Sequence, residues 1–340
     1  VAAVLKAADE YADLLRLSAS TPGNDHRLGG NEAPPAIISA YLGQTLTSLL
    51  DKIEAGEVLE ITEKEIFKSS VSALPDITKD DTDRNRTSPF AFTANKFEFR
   101  MPSSKGSLAR PNMVLNTIVA DSLAELADEL EKGKDVEAVI KEVYAKHKRI
   151  VFNGDGYSDE WHKEAAKRGL PRFDKSVDVY PELTSAKNIA LFERQGVLKE
   201  KELIARKHIF LEDYVLKNRI EAKTMLMMAK RQILPAVLKY QRMLAEDCRN
   251  LSEIGVDNKV SHDALKDLAK GLRTFSQGIE KLKADLEKLD TMNSEEAPLF
   301  TGDTLLKDMD ALRDAGDALE EMCGMDYWPM PTYADLLFFI

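Results

Sequence analysis

The stretch Leu265-Lys-Asp-Leu-Ala-Lys-Gly-Leu-Arg-Thr-Phe-Ser-Gln-Gly-Ile-Glu-Lys-Leu-Lys-Ala-Asp-Leu-Glu-Lys-Leu289 carries apolar residues at regular intervals. They are Leu265, Leu268, Leu272, Phe275, Ile279, Leu282, Leu286 and Leu289. Steps that alternate between three and four residues place them on one side of an α-helix, and this repeat is typical of coiled-coil packing. The stretch therefore predicts a long helix whose apolar side faces another helix.

The partner of this helix is predicted directly upstream. Residues 205–252 form a second long helical pattern, and Ser252–Ser261, with Gly255 and Asn258, reads as the connecting loop. Two long helices joined by a short loop fold back on each other, so we expect a long antiparallel helical hairpin over about residues 205–290. Pro235 should start, kink or locally disturb the first helix, because proline has no backbone N–H.

The N-terminal third mixes helix and strand signals. Apolar spacing predicts helices over residues 1–18, 36–50, 113–132 and 136–150. Phe90 to Met101 alternates instead, which predicts a β-strand with Lys96, Glu98 and Arg100 on one face. Strand and helix signals together predict an α+β fold class, with mostly helical patterns in the later part of the chain.

Composition limits the classes of function. The chain has 340 residues, a net charge of −11 and 44% hydrophobic residues. An acidic chain is a poor general binder of nucleic acid or of membrane surfaces, and no apolar run is long enough to span a bilayer. The two cysteines, Cys248 and Cys323, lack metal-ligand spacing and fit a reducing, cytoplasmic setting. The chain begins inside a helical pattern at Val1, so we expect it to be cut from a longer protein.

Charged residues concentrate in two segments. The first, Asn24 to Ala36, combines Arg27, a Gly-Gly pair and Glu32, and the second runs from Asp83 to Arg100. Arginines make forked contacts to carboxylates and phosphates, and a carboxylate among them either pairs with its neighbours or holds a cation such as Mg²⁺. Such a set suits phosphoryl transfer. From pattern alone, a solvated and self-paired strand face is the commoner explanation.

A family resemblance adds to this reading. The segments His26–Ser39, Asp83–Arg100, Asn153–Trp161 and Ala229–Ala236 resemble those of type III glutamine synthetase, and the resemblance covers nearly the whole chain. It implies the ATP-dependent ligation of ammonia to glutamate through a γ-glutamyl phosphate, with Mg²⁺ or Mn²⁺ as cofactor. It also implies that residues 1–125 are the C-terminal part of a catalytic domain, an antiparallel sheet with helices, followed by a mostly α-helical region over residues 126–340. The composition of Asn153–Glu160 also resembles a calcium loop, but its spacing does not match an EF-hand.

The resemblance implies substrate and catalytic roles for the first segment. Arg27 resembles an arginine that contacts the glutamate substrate. Glu32 resembles a catalytic glutamate on a mobile flap, which shields the intermediate and helps to take a proton from ammonium. Arg100, at the end of the second segment, resembles a second glutamate-binding arginine.

The resemblance implies nucleotide and metal roles for the second segment. Arg86 resembles a catalytic arginine that stabilises the transferring phosphoryl group and contacts ATP. Lys96 is expected near ATP, and Glu98 resembles a metal ligand. Two positions depart from the family pattern. Ala91 stands where shorter glutamine synthetases carry another arginine, and Ala94 stands where glycine is expected.

The resemblance also implies partners and an incompleteness. The partners would be glutamate, ammonia, ATP and further copies of the chain in stacked rings, as a dodecamer, with neither nucleic acid nor membrane. A β-grasp domain, a strand with several metal-binding glutamates and a histidine-bearing loop are expected in the family but not found in this sequence. We therefore expect the chain alone to be inactive. Two alternatives remain, namely a helical scaffold without catalysis and a related ligase for another amine or carboxylate.

Overall fold

The computed structural model describes residues 1–30, 32–57, 66–67, 77–78, 87–93, 95–331 and 333–337. Most of them are helical, and the chain forms two compact units, Val1–Phe210 and Leu211–Ile340. The division predicted at residue 125 stays a prediction. Within the described ranges, no helix combines the length and the hydropathy that crossing a bilayer requires.

The helices of the first unit are short to medium in length. They are α1 (Ala2–Glu10), α2 (Ala12–Ser18), α3 (Pro22–Asp25), α4 (Gly43–Ala55), α5 (Ala109–Glu131), α6 (Val136–His147), α7 (Asp159–Lys167), α8 (Ser176–Val179) and α9 (Ala186–Arg194). Short 3₁₀ turns follow α6 and α8, at Lys148–Ile150 and Tyr180–Thr184. The helix predicted over residues 1–18 is interrupted at Tyr11, whose hydroxyl donates a hydrogen bond to Asp121 at 3.0 Å.

The strands form a small mixed sheet and a separate strand pair. The strands are β1 (Ala40–Tyr41), β2 (Ile66–Phe67), β3 (Ile77–Thr78), β4 (Phe90–Thr93) and β5 (Lys96–Phe99). β1 pairs with β4 in parallel, β4 with β5 antiparallel, and β2 with β3 antiparallel. The predicted antiparallel sheet is therefore found only in part, since the sheet that contains β4 and β5 is mixed. Parallel neighbours need a long connection, which the segment containing α4 provides, and side-chain alternation does not encode strand direction.

Two predicted elements differ from the structure near the sheet. The single strand predicted over residues 90–101 is a hairpin, since the chain reverses between Thr93 and Lys96. The helix predicted over residues 36–50 is wrong at its start, because α4 begins only at Gly43. The residues before it are extended, and the carbonyl of Ala40 accepts a hydrogen bond from Phe152 N–H at 2.9 Å. The conformation of this segment thus depends on a partner more than a hundred residues away, which the local spacing of apolar residues cannot reveal.

All regular structure among the described residues of the second unit is helical. Its elements are the end of α10 (Glu200–Met228), α11 (Leu234–Glu253), α12 (Lys259–Leu289), α13 (Glu296–Phe300), α14 (Leu306–Met322) and α15 (Tyr333–Leu337). The apolar residues of α12 from Leu268 to Leu289 are buried in a core that also contains Val237 of α11 and Leu312 of α14. The apolar spacing thus predicts correctly which side of α12 is buried.

Contacts join α12 to the helices that precede it, while the predicted long hairpin as a whole stays a prediction. Ser261 donates to Asp247 at 2.6 Å, Lys230 Nζ lies 3.8 Å from Glu280, and Arg219 Nε lies 3.4 Å from Asp290. Residue numbers therefore rise along α12 as they fall along its partners. The connection is shorter than predicted, since α11 ends at Glu253 and α12 begins at Lys259.

Pro235 coincides with a local change in helix geometry. Ala229–Ile233 is a π-helical stretch between α10 and α11, in which the N–H of Leu234 donates to the carbonyl of Ala229. Pro235 cannot donate the next helical bond, so the widened turn accommodates the missing donor. The local disturbance that the sequence predicts at Pro235 is therefore observed immediately before it.

Candidate active site

The glycine loop, defined as residues 24–36, begins at a buried anchor. Thr21 caps α3 by accepting a hydrogen bond from the N–H of Asn24, and Pro22 occupies the first turn. The Asn24 side chain is fully buried, and its Nδ2 donates to the carbonyls of Ala19 at 2.7 Å and Met101 at 3.0 Å. Asn24 thereby ties the start of the loop to the chain segment that follows β5.

A buried ion pair reinforces this anchor. Arg16 is 1% exposed, and its Nη2 lies 3.0 Å from Asp25 Oδ1. Asp25 also accepts hydrogen bonds from Ser176, at 2.7 Å from the backbone N–H and 2.6 Å from the hydroxyl. Burial raises the pKa of Asp25, and the opposing effects of Arg16 and Ser176 do not fully cancel it. The base of the glycine loop is consequently held by charged groups removed from water.

Arg27 links the two charged segments of the sequence. Its Nη1 donates to Asn24 Oδ1 at 2.9 Å and to the carbonyl of Met101 at 3.0 Å. Met101 directly follows Arg100, so the structure brings Arg27 next to the end of the second segment. Arg27 Nε also lies 3.4 Å from Glu32, whose side chain is 75% exposed. An ion pair so open to solvent is weak and leaves the glutamate able to move.

Glu98 lies among the cations of the strand face. Its Oε2 accepts hydrogen bonds from Arg100 Nε at 3.2 Å and Nη2 at 3.1 Å, and its Oε1 lies 3.6 Å from Lys96 Nζ. The neighbouring Thr93 side chain and the Arg100 guanidinium hold the pKa of Glu98 below its ordinary value, so the carboxylate is ionised at neutral pH. The face is self-paired, as the simpler sequence interpretation anticipates.

Of the predicted site residues, five lie within the described ranges and one lies outside them. Arg27 contacts Glu32 and the Met101 carbonyl, and Lys96, Glu98 and Arg100 form a second group on β5 and the residue after it. Arg86, the predicted catalytic and ATP-binding arginine, lies outside the described residues, as do Arg84 and Ala94.

The described residues do not complete a divalent-metal site. Across these ranges, no group of three or more His, Cys, Asp or Glu side chains is arranged to hold a metal. Mg²⁺ prefers six oxygen ligands in octahedral geometry, whereas Glu98 offers one carboxylate that already faces Lys96 and Arg100. Glu98 can serve as one ligand, but further ligands must come from elsewhere.

The turn at residues 153–158, called here the Asn-Gly turn, is a part of the site that residue chemistry alone does not identify. Gly156 N–H donates to the Thr87 hydroxyl at 3.1 Å, and the Tyr157 hydroxyl donates to the carbonyl of Ala33 at 3.1 Å. A Cβ on Gly156 would lie 2.6 Å from the carbonyl oxygen of Thr87, so this position requires glycine. The turn therefore contacts both the glycine loop and the residue that follows Arg86. The sequence feature that could have identified this turn is the resemblance of Asn153–Trp161 to the corresponding segment of type III glutamine synthetase.

Comparison with known proteins identifies relatives along almost the whole chain. Residues 135–252 match the family model described as glutamine synthetase C-terminal domain. The type-3 glutamine synthetase of Dictyostelium discoideum is 35% identical over 99% of this chain and 48% of its own length. The glutamine synthetase of Butyrivibrio fibrisolvens is 39% identical over 98% of the chain and 49% of its own length.

A third relative gives the same result. The glutamine synthetase of Bacteroides fragilis is 34% identical over 98% of this chain and 48% of its own length. The chain thus spans about half the length of each relative. The resemblance noted from the sequence motifs is confirmed.

Proposed function

The chain belongs to the glutamine synthetase family, and from this membership we propose that it supplies part of the active site for ATP-dependent ligation of ammonia to glutamate. The reaction would pass through a γ-glutamyl phosphate and yield glutamine. The enzyme class is glutamate–ammonia ligase, and its substrates would be glutamate, ammonia and ATP.

The observation that carries this proposal is the junction at Met101. Arg27 and Asn24 from the glycine loop both donate to the Met101 carbonyl, and Met101 adjoins Arg100. Two segments separated by about seventy residues are thereby held together, and each presents an arginine. Two arginines on neighbouring segments suit a dicarboxylate substrate, since each guanidinium can bind a carboxylate through two parallel hydrogen bonds.

The proposed division of labour follows from exposure and charge. Arg27 and Arg100 would bind glutamate. Glu32, on an exposed part of the glycine loop, would shield the intermediate and accept a proton from ammonium. Expelling water from the site would strengthen the electrostatic interactions of these groups.

The nucleotide and metal parts of the proposal rest on family membership. Arg86 would stabilise the transferring phosphoryl group and contact ATP, with Lys96 near the nucleotide. Glu98 would contribute one ligand to Mg²⁺ or Mn²⁺, and such an ion neutralises phosphate charge when bound. We also propose a cytoplasmic homo-oligomer of stacked rings, a dodecamer, with the helical region mediating contacts between copies.

The proposal is tested by Arg27→Ala and Glu98→Ala in the full-length protein. Each should reduce glutamine formation by at least about a hundredfold, because removing a charged group that binds the substrate or the metal at a reacting site costs several kcal/mol. Arg242→Ala is a matched control, since its side chain is 80% exposed and pairs across one helical turn with Glu246. A scaffold protein would assemble normally and show no ligase activity in any form. A ligase for another substrate would form no glutamine but would consume ATP with a different amine or acid.

We further propose that the 340-residue chain has no turnover by itself, since the described residues offer Glu98 without further metal ligands in an arranged group. A γ-glutamyl hydroxamate assay of the isolated chain should remain at background. Clear turnover would refute this part of the proposal.

A further inference from the structure

We propose that Tyr157 is a positioning residue for Glu32, and that its hydroxyl fixes the end of the glycine loop from which the Glu32 carboxylate reaches the site. This inference rests on the proposed function. Tyr157 lies more than a hundred residues from the glycine loop, in a motif whose composition gives no hint of such a role.

The contact itself is specific. The Tyr157 hydroxyl donates to the carbonyl of Ala33 at 3.1 Å, and Ala33 directly follows Glu32. The same carbonyl accepts a hydrogen bond from Gly29 N–H at 3.2 Å. Ala33 is 1% exposed, whereas Glu32 beside it is three-quarters exposed. An exposed carboxylate is therefore attached directly to a buried, hydrogen-bonded backbone position.

The Asn-Gly turn is rigid enough to provide this support. Gly156 N–H is bonded to Thr87, and the Ser158 side chain caps α7 by accepting from Trp161 N–H at 3.2 Å. Trp161 is buried and stacks on Phe152, with ring centroids 3.8 Å apart. Tyr157 is thus held on both sides by ordered residues, and its hydroxyl is presented to Ala33 from a fixed base.

The loop consequently has two fixed ends. Asn24 and Asp25 hold its start, and Tyr157 holds the carbonyl of Ala33. Between them, Gly29 adopts a φ of +74°, a left-handed conformation that favours glycine. Two fixed ends restrict the loop to a small set of positions, which places Glu32 over the reacting centre.

The chemical consequence concerns competition between ammonia and water. When the lid is well placed, ammonia attacks the acyl carbon of the γ-glutamyl phosphate, phosphate leaves, and a proton passes to Glu32. When it is poorly placed, water attacks the same carbon, the bond to phosphate breaks, and glutamate and inorganic phosphate are released. Loss of the Tyr157 hydrogen bond should therefore raise ATP hydrolysis that yields no glutamine.

The test is Tyr157→Phe in the full-length protein, which removes one hydroxyl and retains the ring. Hydrogen–deuterium exchange of the backbone amides in residues 26–34 should accelerate about fivefold, as expected for the removal of one hydrogen bond. Tyr144→Phe is the matched control, since it removes a hydroxyl that donates to Asp51 at 2.9 Å between α4 and α6. In that variant, exchange in residues 26–34 should match the wild type.

A second measurement separates positioning from simple stabilisation. The ratio of phosphate released to glutamine formed should rise about threefold or more in Tyr157→Phe, and stay unchanged in Tyr144→Phe, if placement of Glu32 controls access of water. Unchanged exchange, or faster exchange with an unchanged ratio, would overturn the positioning role alone. Absence of glutamine formation in the wild type would overturn the proposed function, and with it any catalytic role of Tyr157.

Discussion

The glycine loop and helix α12 are both well anchored, but by different kinds of interaction. Helix α12 is held by a row of buried apolar side chains that recur with the helical period. The glycine loop is held by a few polar interactions with residues far along the chain, among them Met101, Tyr157 and Ser176. Regular apolar burial produces a stable scaffold, whereas a few specific polar anchors fix the ends of a loop through contacts with distant residues.

The largest change in stability is expected at Arg16, which anchors the base of the glycine loop. Arg16→Met removes the cation that faces Asp25, and a buried carboxylate without its partner destabilises a fold by about 3–5 kcal/mol. Trp161 is in the unit Val1–Phe210, so its fluorescence in a Trp328→Phe background reports this unit during urea unfolding. Adding Asp25→Asn should recover part of the loss because it removes the unpaired charge. No loss in Arg16→Met would mean that polar anchors do not hold the loop base.

A comparable change tests the apolar side of the comparison. Leu282 is fully buried in the core around α12, and Leu282→Ala should reduce the free energy of unfolding by about 3 kcal/mol through reduced burial and a residual cavity. Trp328 fluorescence in a Trp161→Phe background follows the unit Leu211–Ile340. Leu238→Ala on α11, at a 46% exposed position, should change stability by less than about 0.5 kcal/mol. Equal effects at both positions would argue against a periodic apolar core.

A smaller effect on stability is expected from the charged side chains between α12 and α14. Lys281 on α12 contacts Asp285 on the same helix and Asp308 on α14, so these contacts join the two helices. Burial and the neighbouring Asp285 raise the pKa of Asp308 to about 6, and the hydrogen bond with Asp308 lowers the pKa of Asp285. The raised pKa means that ionisation of Asp308 opposes folding. Protonated Asp308 therefore adds to the stability of the fold. This contribution is complete below the unfolded pKa near 3.8 and is lost as pH rises through about 6.

Asp308→Asn removes this ionisation. The variant should be more stable than the wild type above pH 6, by at most about 1 kcal/mol because the pair is partly solvated, and the difference should shrink between pH 6 and 4. Thermal unfolding at several pH values measures it. Asp310→Asn on the exposed side of the same helix is the matched control for removing one carboxylate from α14. A gap that widens toward low pH would contradict the assigned direction.

Sequence reasoning succeeded where interactions repeat locally. The spacing of Leu268 to Leu289 identified the buried side of α12, and the missing N–H of Pro235 identified the place where helix geometry changes. It failed at residues 36–41, because their extended conformation depends on pairing with Phe152 and its neighbours. It also missed Tyr157, whose role depends on a single hydrogen bond across the fold.

The sequence by itself determined the family, the helical character of the C-terminal region, and the residue types available for binding anions. Local periodicity and residue chemistry suffice for these, since both are properties of neighbouring positions. Only the tertiary structure decided that Arg27 meets the Met101 carbonyl beside Arg100, that Glu98 is paired with Lys96 and Arg100, and that the Asn-Gly turn supports the glycine loop. The contacts of Arg27 and Tyr157 join residues tens to more than a hundred positions apart, so local sequence patterns do not encode them. The pairing of Glu98 depends on the side-chain geometry of neighbouring strand residues, which is set only in the folded structure.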